Sequence, residues 1–373
     1  MERTHGLKPL TVDVIVPTVR PNSRSMHAIL GMELPQGMDV NYYIIIDNPK
    51  GGVLESLSPF VDRKNVKVLR NEGNLGASTS RNRGLNEGAS DYALFLDDDV
   101  EPYSTLLREY GEAIEKYPDA PGFVGSSRFP TPVNSFTRGT VASDILTFWT
   151  ISETRSELAW GITANLVVSK KAVGPIRFSP KFPKRGGGED IDFCLSIAAR
   201  TGKLFRAAPK AMLHHPWWNG GSRQYRRFAR WAYGDGQLPK LHRRYRYYNA
   251  PNTVETLFLI ALVLVPAATF GFVIAWKVAA LLRLVGLIEF VAEAVRLHFR
   301  EQRASLQTSA EATLVRISND AGRIAGNLRR GHLLCFGERF DYFATGESIR
   351  YERKIAVAKC VLFIAGALTV LLL

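Results

Sequence analysis

The chain has 373 residues, of which 46% are hydrophobic and 22% charged, and 48 Lys and Arg outweigh 35 Asp and Glu to give a net charge of +13. These are averages over a polar N-terminal part and a very apolar C-terminal part, and the length suits one large domain plus a second region. Three widely separated cysteines, Cys194, Cys335 and Cys360, lack metal-ligand spacing, which argues against a disulfide framework and for a reducing compartment.

Residues 1–10 contain no apolar signal-peptide core, so the N-terminal domain is expected to stay in the cytoplasm. Residues 12–18 read as a first buried strand ending in a turn, and residues 42–47 as a second, closed by the turn signals of residues 48–52. Residues 66–69 give a third strand, residues 74–89 a helix rich in small residues, and residues 92–96 a fourth, fully apolar strand. Strands alternating with helices argue for a doubly wound, largely parallel α/β sheet. Residues 103–117 form a helix stopped by Pro118. Residues 119–160 are rich in Gly, Pro, Ser and Thr and read as irregular, an acceptor-side loop or a further sheet edge. Residues 162–168 read as a strand, 186–190 as a flexible Gly-rich loop, 191–200 as a helix, and 210–215 as a strand ending in two histidines.

Asp97, Asp98 and Asp99 close the fourth strand. Packed carboxylates raise one another's pKa unless a cation sits among them, and hard oxygen ligands suit Mg²⁺ or Mn²⁺. Open α/β sheets bind ligands at the carboxyl ends of their strands. The alternative is a solvated acidic turn. Glu189-Asp190 opens a helix behind three glycines, which suits either a general base on a mobile loop or simple helix N-capping.

Between Arg223 and Arg246 eight Lys or Arg stand against one acid, Asp235, supplying +7 of the net charge. Aromatic residues interleave with them, and a long apolar run follows. This points to amphipathic helices at a membrane surface and away from nucleic acid. Residues 254–276 are long and apolar enough to span a bilayer, with Pro266 tolerable inside. Residues 278–297, which contain Arg283 and put Glu289, Glu293 and Arg296 on one face, read as a second span with that polar face packed inward, the alternative being an interfacial helix. Residues 298–354 hold ten Lys or Arg and read as cytoplasmic, and residues 355–373 as a last span. The expected organisation is a catalytic domain over 1–222, interfacial helices over 223–253, a transmembrane hairpin over 254–297, a basic segment over 298–354 and a C-terminal span over 355–373, multi-pass with the catalytic domain cytoplasmic.

Taken together, these motifs resemble inverting family-2 glycosyltransferases of GT-A fold, with a membrane plan similar to cellulose-synthase-like enzymes and to mannosyltransferases of lipid-linked oligosaccharide assembly. The resemblance rests on Pro17-Thr18, on Asp47, on Gly76-Ala-Ser-Thr-Ser-Arg81-Asn-Arg-Gly84, on Asp97-Asp98-Asp99 as the DxD motif, on Glu189-Asp190, and on Arg227-Phe-Ala-Arg230-Trp231. The last departs from the family's Gln-x-x-Arg-Trp by carrying Arg227, which puts processive synthesis in doubt. The resemblance implies a GT-A sheet with C-terminal interfacial and transmembrane helices, and a nucleotide-sugar donor bound through Pro17, Thr18, Asp47, Gly76, Arg81, Asp97 and Asp98. It further implies Mn²⁺ or Mg²⁺ held by Asp99, with Asp97 and with His215 or His214, Asp190 as base beside Glu189, and an acceptor side at Arg227, Arg230 and Trp231. The donor would be GDP- or UDP-linked, GDP-mannose first, and the acceptor a hydroxyl of a lipid-linked sugar or glycan at the membrane. A polyprenyl-phosphate glycosyltransferase, whose anionic acceptor needs no base, and a processive synthase are the alternatives.

Overall fold

Strands form where the apolar runs lie. β1 (Leu10–Thr18), β2 (Met38–Ile46), β3 (Val66–Arg70) and β4 (Tyr92–Leu96) pair in parallel in the order β3-β2-β1-β4, with α1 (Ser23–Leu30) and α2 (Ala77–Glu87) as connections. Val14, Ile15 and Val16 of β1 and Ala93 to Leu96 of β4 have no exposed surface, as strands covered on both faces require. Gly84 lets α2 lie directly on β1, since a Cβ there would come within 2.4 Å of Ile15 Cγ2.

The short β5 (Glu101–Pro102) and α3 (Leu106–Lys116) precede β6 (Gly122–Arg128), α4 (Ser135–Ala142), β7 (Glu157–Leu158) and β8 (Asn165–Ser169). After α5 (Lys170–Val173) and α6 (Glu189–Thr201) comes the ten-residue β9 (Phe205–His214). β8 runs antiparallel to β4 and to β6, and β6 runs parallel to β9, so the described residues form a mixed nine-stranded sheet. This α/β sheet fits a GT-A fold. The irregular reading of 119–160 is corrected: β6 lies inside the sheet between β8 and β9, not at its edge. Its signal is masked because Gly125 breaks the apolar run, yet a Cβ there would come within 2.3 Å of Asn165 Nδ2. The Asn165 amide donates to the carbonyls of Ser126 and Ala211, tying the central strands together.

The structure is a computed structural model and describes residues 9–19, 23–48, 57–267, 269, 271–301 and 304–372. The turn expected over 48–52 thus lies, from 49 on, outside the described residues. The chain divides into two units, residues 1–131 with 147–220 and residues 132–146 with 221–373.

In the second unit α7 (Tyr225–Asp235) and the short α8 (Leu238–Leu241) are followed by β10 (Arg246–Tyr248), which pairs antiparallel with β11 (Glu338–Phe340). Residues 223–253, expected to be helical throughout, thus include a strand as well as α7 and α8. α7 buries Phe228 and Ala232, and Tyr247 of β10 is also buried. α9 (Thr253–Ala267), α10 (Phe272–Glu301), α11 (Leu306–Arg329) and α12 (Glu347–Leu372) complete the unit. The span expected over 254–276 falls on two helices. Pro266 supplies no backbone N–H, α9 ends at Ala267, and a new helix starts at Phe272. Fifteen residues at about 1.5 Å each reach roughly 23 Å, short of the bilayer's hydrocarbon core. Among the described residues one helix is long and apolar enough to cross a membrane, Ile349–Leu372. The polar face of α10 is turned inward: Glu289 accepts from Thr253 and, at 2.7 Å, from Lys359 of α12, and Glu293 pairs with Arg296.

Candidate active site

β1 and β4 are parallel neighbours, so Thr18 and the three aspartates emerge at the same end of the sheet. Thr18 is buried, and its hydroxyl donates to Asp98 Oδ2 at 2.5 Å. Burial pushes the Asp98 carboxyl up to about 7, the Thr18 bond opposing and the charges of Asp99 and Asp97 adding to the rise. Asp97 turns to Arg81, whose Nη2 donates to Oδ1 at 3.0 Å. Asp99 keeps 42% of its side chain exposed and lies 3.3 Å from Nε2 of His215.

The two histidines divide by strand alternation. His214 is exposed and its Nε2 meets the Tyr103 hydroxyl at 2.9 Å. His215 is 1% exposed, its ring packed against Phe129, Trp149 and Trp218 with centroids 4.8 to 5.0 Å away. Its Nδ1 lies 2.7 Å from the Pro216 carbonyl, which can only accept, so Nδ1 carries a proton. In the neutral ring Nε2 then presents a lone pair to a carboxylate oxygen. Two acceptors facing each other at 3.3 Å are what a divalent cation, or a second proton on the ring, reconciles. The donor set thus fits Mn²⁺ or Mg²⁺ through Asp99 and His215. Among the described residues no group of three or more His, Cys, Asp or Glu is placed to hold a metal ion together.

Arg81, on α2, is 4% exposed and joins the acidic strand end to α6, with Nη1 donating to Glu189 Oε1 at 3.3 Å. Burial opposes its charge, but Asp97, Glu189 and Asp190 outweigh burial and raise its pKa. Glu189 is itself buried, and its second oxygen accepts from the Gly187 amide at 2.7 Å. Gly186, Gly187 and Gly188 all have positive φ, +86°, +127° and +85°, a run that residues with a Cβ rarely adopt. The N-cap of α6 is Gly188, without a side-chain cap, so Glu189 and Asp190 occupy its first turn rather than capping it. Asp190 is half-buried.

Asp47, at the end of β2, is buried and accepts from the amides of Leu75 and Gly76 and from Asn71 at 2.7 to 2.8 Å. It thereby orders the loop into α2, whose N-cap is Gly76 at φ 93°. Pro17 stands in β1 opposite Ile45. The first unit therefore brings together Thr18, Arg81, Asp97, Asp98, Asp99, Glu189 and His215. Arg227, Arg230 and Trp231 lie on α7 of the second unit, with Arg230 exposed and Trp231 edge-on to Phe228. Sequence reasoning passed over Phe129 and Trp149, which wall His215; two aromatics in the polar 119–160 stretch were the available signal.

Residues 24–161 match the model of the family described as Glycosyl transferase family 2. The match includes Asp47, Gly76, Arg81 and the three aspartates and stops short of Glu189, Asp190, His214 and His215. Among curated proteins none matches the sequence. Among solved structures, the mannosyltransferase PcManGT from Pyrobaculum calidifontis, in complex with GDP-Man and Mn²⁺, aligns with 83% of this chain and 86% of its own at 14% identity and a TM-score of 0.53. S. aureus TarS aligns with 60% of this chain at 14% identity and a TM-score of 0.42, and this chain spans only 39% of that protein. TarS 1–349 in complex with UDP aligns with 86% of this chain and 92% of its own at 13% identity and a TM-score of 0.44. The likeness to PcManGT is one of fold. The family match and the shared fold support a glycosyltransferase enzyme.

Proposed function

We propose that this chain is an inverting, metal-dependent hexosyltransferase that moves a sugar from a nucleotide diphosphate, GDP-mannose first and UDP-sugars second, to a hydroxyl of a lipid-linked sugar or glycan at a membrane. The observation that carries the reading is the Asp99–His215 pair at the end of β4, two acceptors 3.3 Å apart beside the buried Arg81. A donor diphosphate would lie against this edge, and the bound Mn²⁺ or Mg²⁺ supplies positive charge to the leaving diphosphate. PcManGT, of the same fold, was solved with GDP-Man and Mn²⁺, which favours the mannosyl reading. The acceptor's proton is assigned to Asp190, half-buried in the first turn of α6 beside Glu189. Attack opposite the leaving group then inverts the anomeric carbon. Pro17, Thr18, Asp47, Gly76, Asp97 and Asp98 frame the nucleotide, and Arg227, Arg230 and Trp231 serve the acceptor side. Anchoring is proposed through α12, with the catalytic unit cytoplasmic.

The test is a transfer assay with a panel of GDP- and UDP-sugars, with and without Mn²⁺ or Mg²⁺. The expected result is one donor class turned over only with metal. Turnover undiminished in EDTA would remove the metal, and turnover onto a polyprenyl phosphate alone would move the polyprenyl-phosphate reading ahead.

A further inference from the structure

We propose that the second unit binds the phosphate of an anionic lipid headgroup in a recess at the foot of α12. The inference rests on the membrane reading of α12 and is independent of the sugar-transfer reaction. The recess encloses about 440 Å³, its open mouth included, and is lined by Arg244, Tyr245, Arg246, Asp341, Ala344 and Ile349 among others. Its wall is the β10–β11 ribbon, extended where the Asp341 amide donates to the Tyr245 carbonyl at 2.8 Å. The Asp341 carboxylate is an anion in the lining, tied to backbone amides. It accepts from the amides of Phe343 at 3.2 Å and Gly346 at 2.7 Å, which closes a tight turn through Ala344 at φ 57°. Arg246 lies 3.5 Å from the buried Glu338, a long contact that leaves its remaining donors available, and Arg244 is exposed over the Tyr245 ring. Guanidinium groups offer planar paired donors that match phosphate oxygens. The start of a 26-residue helix beside them adds a favourable field for an anion.

Position decides the source of the phosphate. The segment Ile349–Leu372 is long and apolar enough to cross a membrane, and Ile349 itself lines the recess. The apolar run itself starts at Ile355, six residues or roughly 9 Å of helix beyond Ile349, which sets the recess at the level of the lipid headgroups. Arg350, Arg353 and Lys354 stand against Glu347 and Glu352 in the first turns of α12, a net charge of +1. Basic side chains at that boundary attract anionic lipid. Tyr245 and Ile349 give the recess apolar walls, which suit a glycerol backbone and not a free inorganic ion.

The test uses the full chain in neutral detergent and follows its melting temperature. The probes are dihexanoyl phosphatidylglycerol, dihexanoyl phosphatidylcholine and inorganic phosphate at equal concentrations. Phosphatidylglycerol should raise the Tm saturably and the other two should not. Arg244→Gln should weaken the response about tenfold or more, the loss of a charged hydrogen bond. Arg246→Lys, which keeps the partner of Glu338, should weaken it less, and Arg350→Gln, outside the recess, should weaken it well less than Arg244→Gln. Native mass spectrometry of the parent protein should show phosphatidylglycerol bound in preference to phosphatidylcholine, a readout that needs no variant to fold. The proposal is overturned by an equal Tm rise with phosphatidylcholine, which means acyl binding only, or with inorganic phosphate, which means a free-anion site. An unchanged response in Arg244→Gln, or an equal loss in Arg350→Gln, overturns it as well, the latter showing diffuse attraction rather than a site.

Discussion

Arg81 ties the acidic end of β4 to the start of α6. Its guanidinium is buried and held by Asp97 at 3.0 Å and Glu189 at 3.3 Å. Removing one partner of a buried ion pair costs about 3–5 kcal/mol, because the remaining charges stay desolvated. Arg81→Met should therefore lower the melting temperature and also release the Gly187 loop from Glu189. A variant as stable as the parent by calorimetry would contradict the bridging role. Asp190 separates differently. Asp190→Asn keeps shape and polarity in the first turn of α6, whose N-cap is Gly188, so the Tm should hold. Transfer should fall by roughly 10²-fold or more through loss of a positioned base, with donor affinity nearly intact. Near-parental transfer would leave Asp190 a first-turn acid alone. Asp99→Ala should abolish Mn²⁺-dependent nucleotide binding while the domain stays folded. Unchanged affinity by titration calorimetry in the presence of Mn²⁺ would sink that assignment.

Among the elements, α7 and α11 pack more closely than side chains with a Cβ allow. A Cβ on Gly322 would come within 1.9 Å of the Ala229 carbonyl oxygen, and one on Gly326 within 2.3 Å of that of Tyr233. In an open helix Gly→Ala gains about 1 kcal/mol of propensity. Here the sign should reverse: Gly322→Ala has to push two helices apart, at about 1–3 kcal/mol. Gly286→Ala on α10 is the control, since nothing lies within 4 Å of its Cβ position, and it should be neutral or stabilising. Thermal melts in one detergent compare the two directly, and a stabilised Gly322→Ala would refute the close packing.

For the whole molecule, connectivity matters more than length. The chain passes between the two units at residues 131/132, 146/147 and 220/221. Residues 132–146 carry α4, whose Ala142 forms a buried cluster with Leu297 and Ala312, and whose Gly139 approaches Glu311 Cβ to 2.5 Å at an added Cβ. A cut at 222 therefore leaves α4 without α10 and α11. A fragment of residues 1–222 should aggregate or melt lower than the same fragment with 132–146 replaced by a short Gly-Ser linker. Equal melting of the two would show that α4 needs no partner. The full chain should remain with membranes through an alkaline wash and leave them only with detergent, because Val357, Val361 and Ile364 of α12 are each about 60% exposed. Recovery in the soluble fraction without detergent would contradict the anchor.

The sequence by itself determined the β1-to-β4 half of the sheet, the acidic strand end and the Gly-rich loop before Glu189-Asp190. These features are local: a run of buried apolar residues, three adjacent carboxylates, and glycines whose backbone needs no neighbour to be recognised. It also marked α12, because length and hydrophobicity are read along one segment. Only the tertiary structure decided the rest. It made β6 a central strand, since Gly125 is required by Asn165 and Tyr110 across the sheet and not by its own neighbours. It separated His215 from His214, because adjacent strand residues face opposite ways and only one meets Asp99. It divided the apolar stretch between α9 and α10 and turned Glu289 toward Lys359, 70 residues away. It gave Arg81 its two partners, 16 and 108 residues distant, a pairing that depends on which strand ends the fold sets side by side.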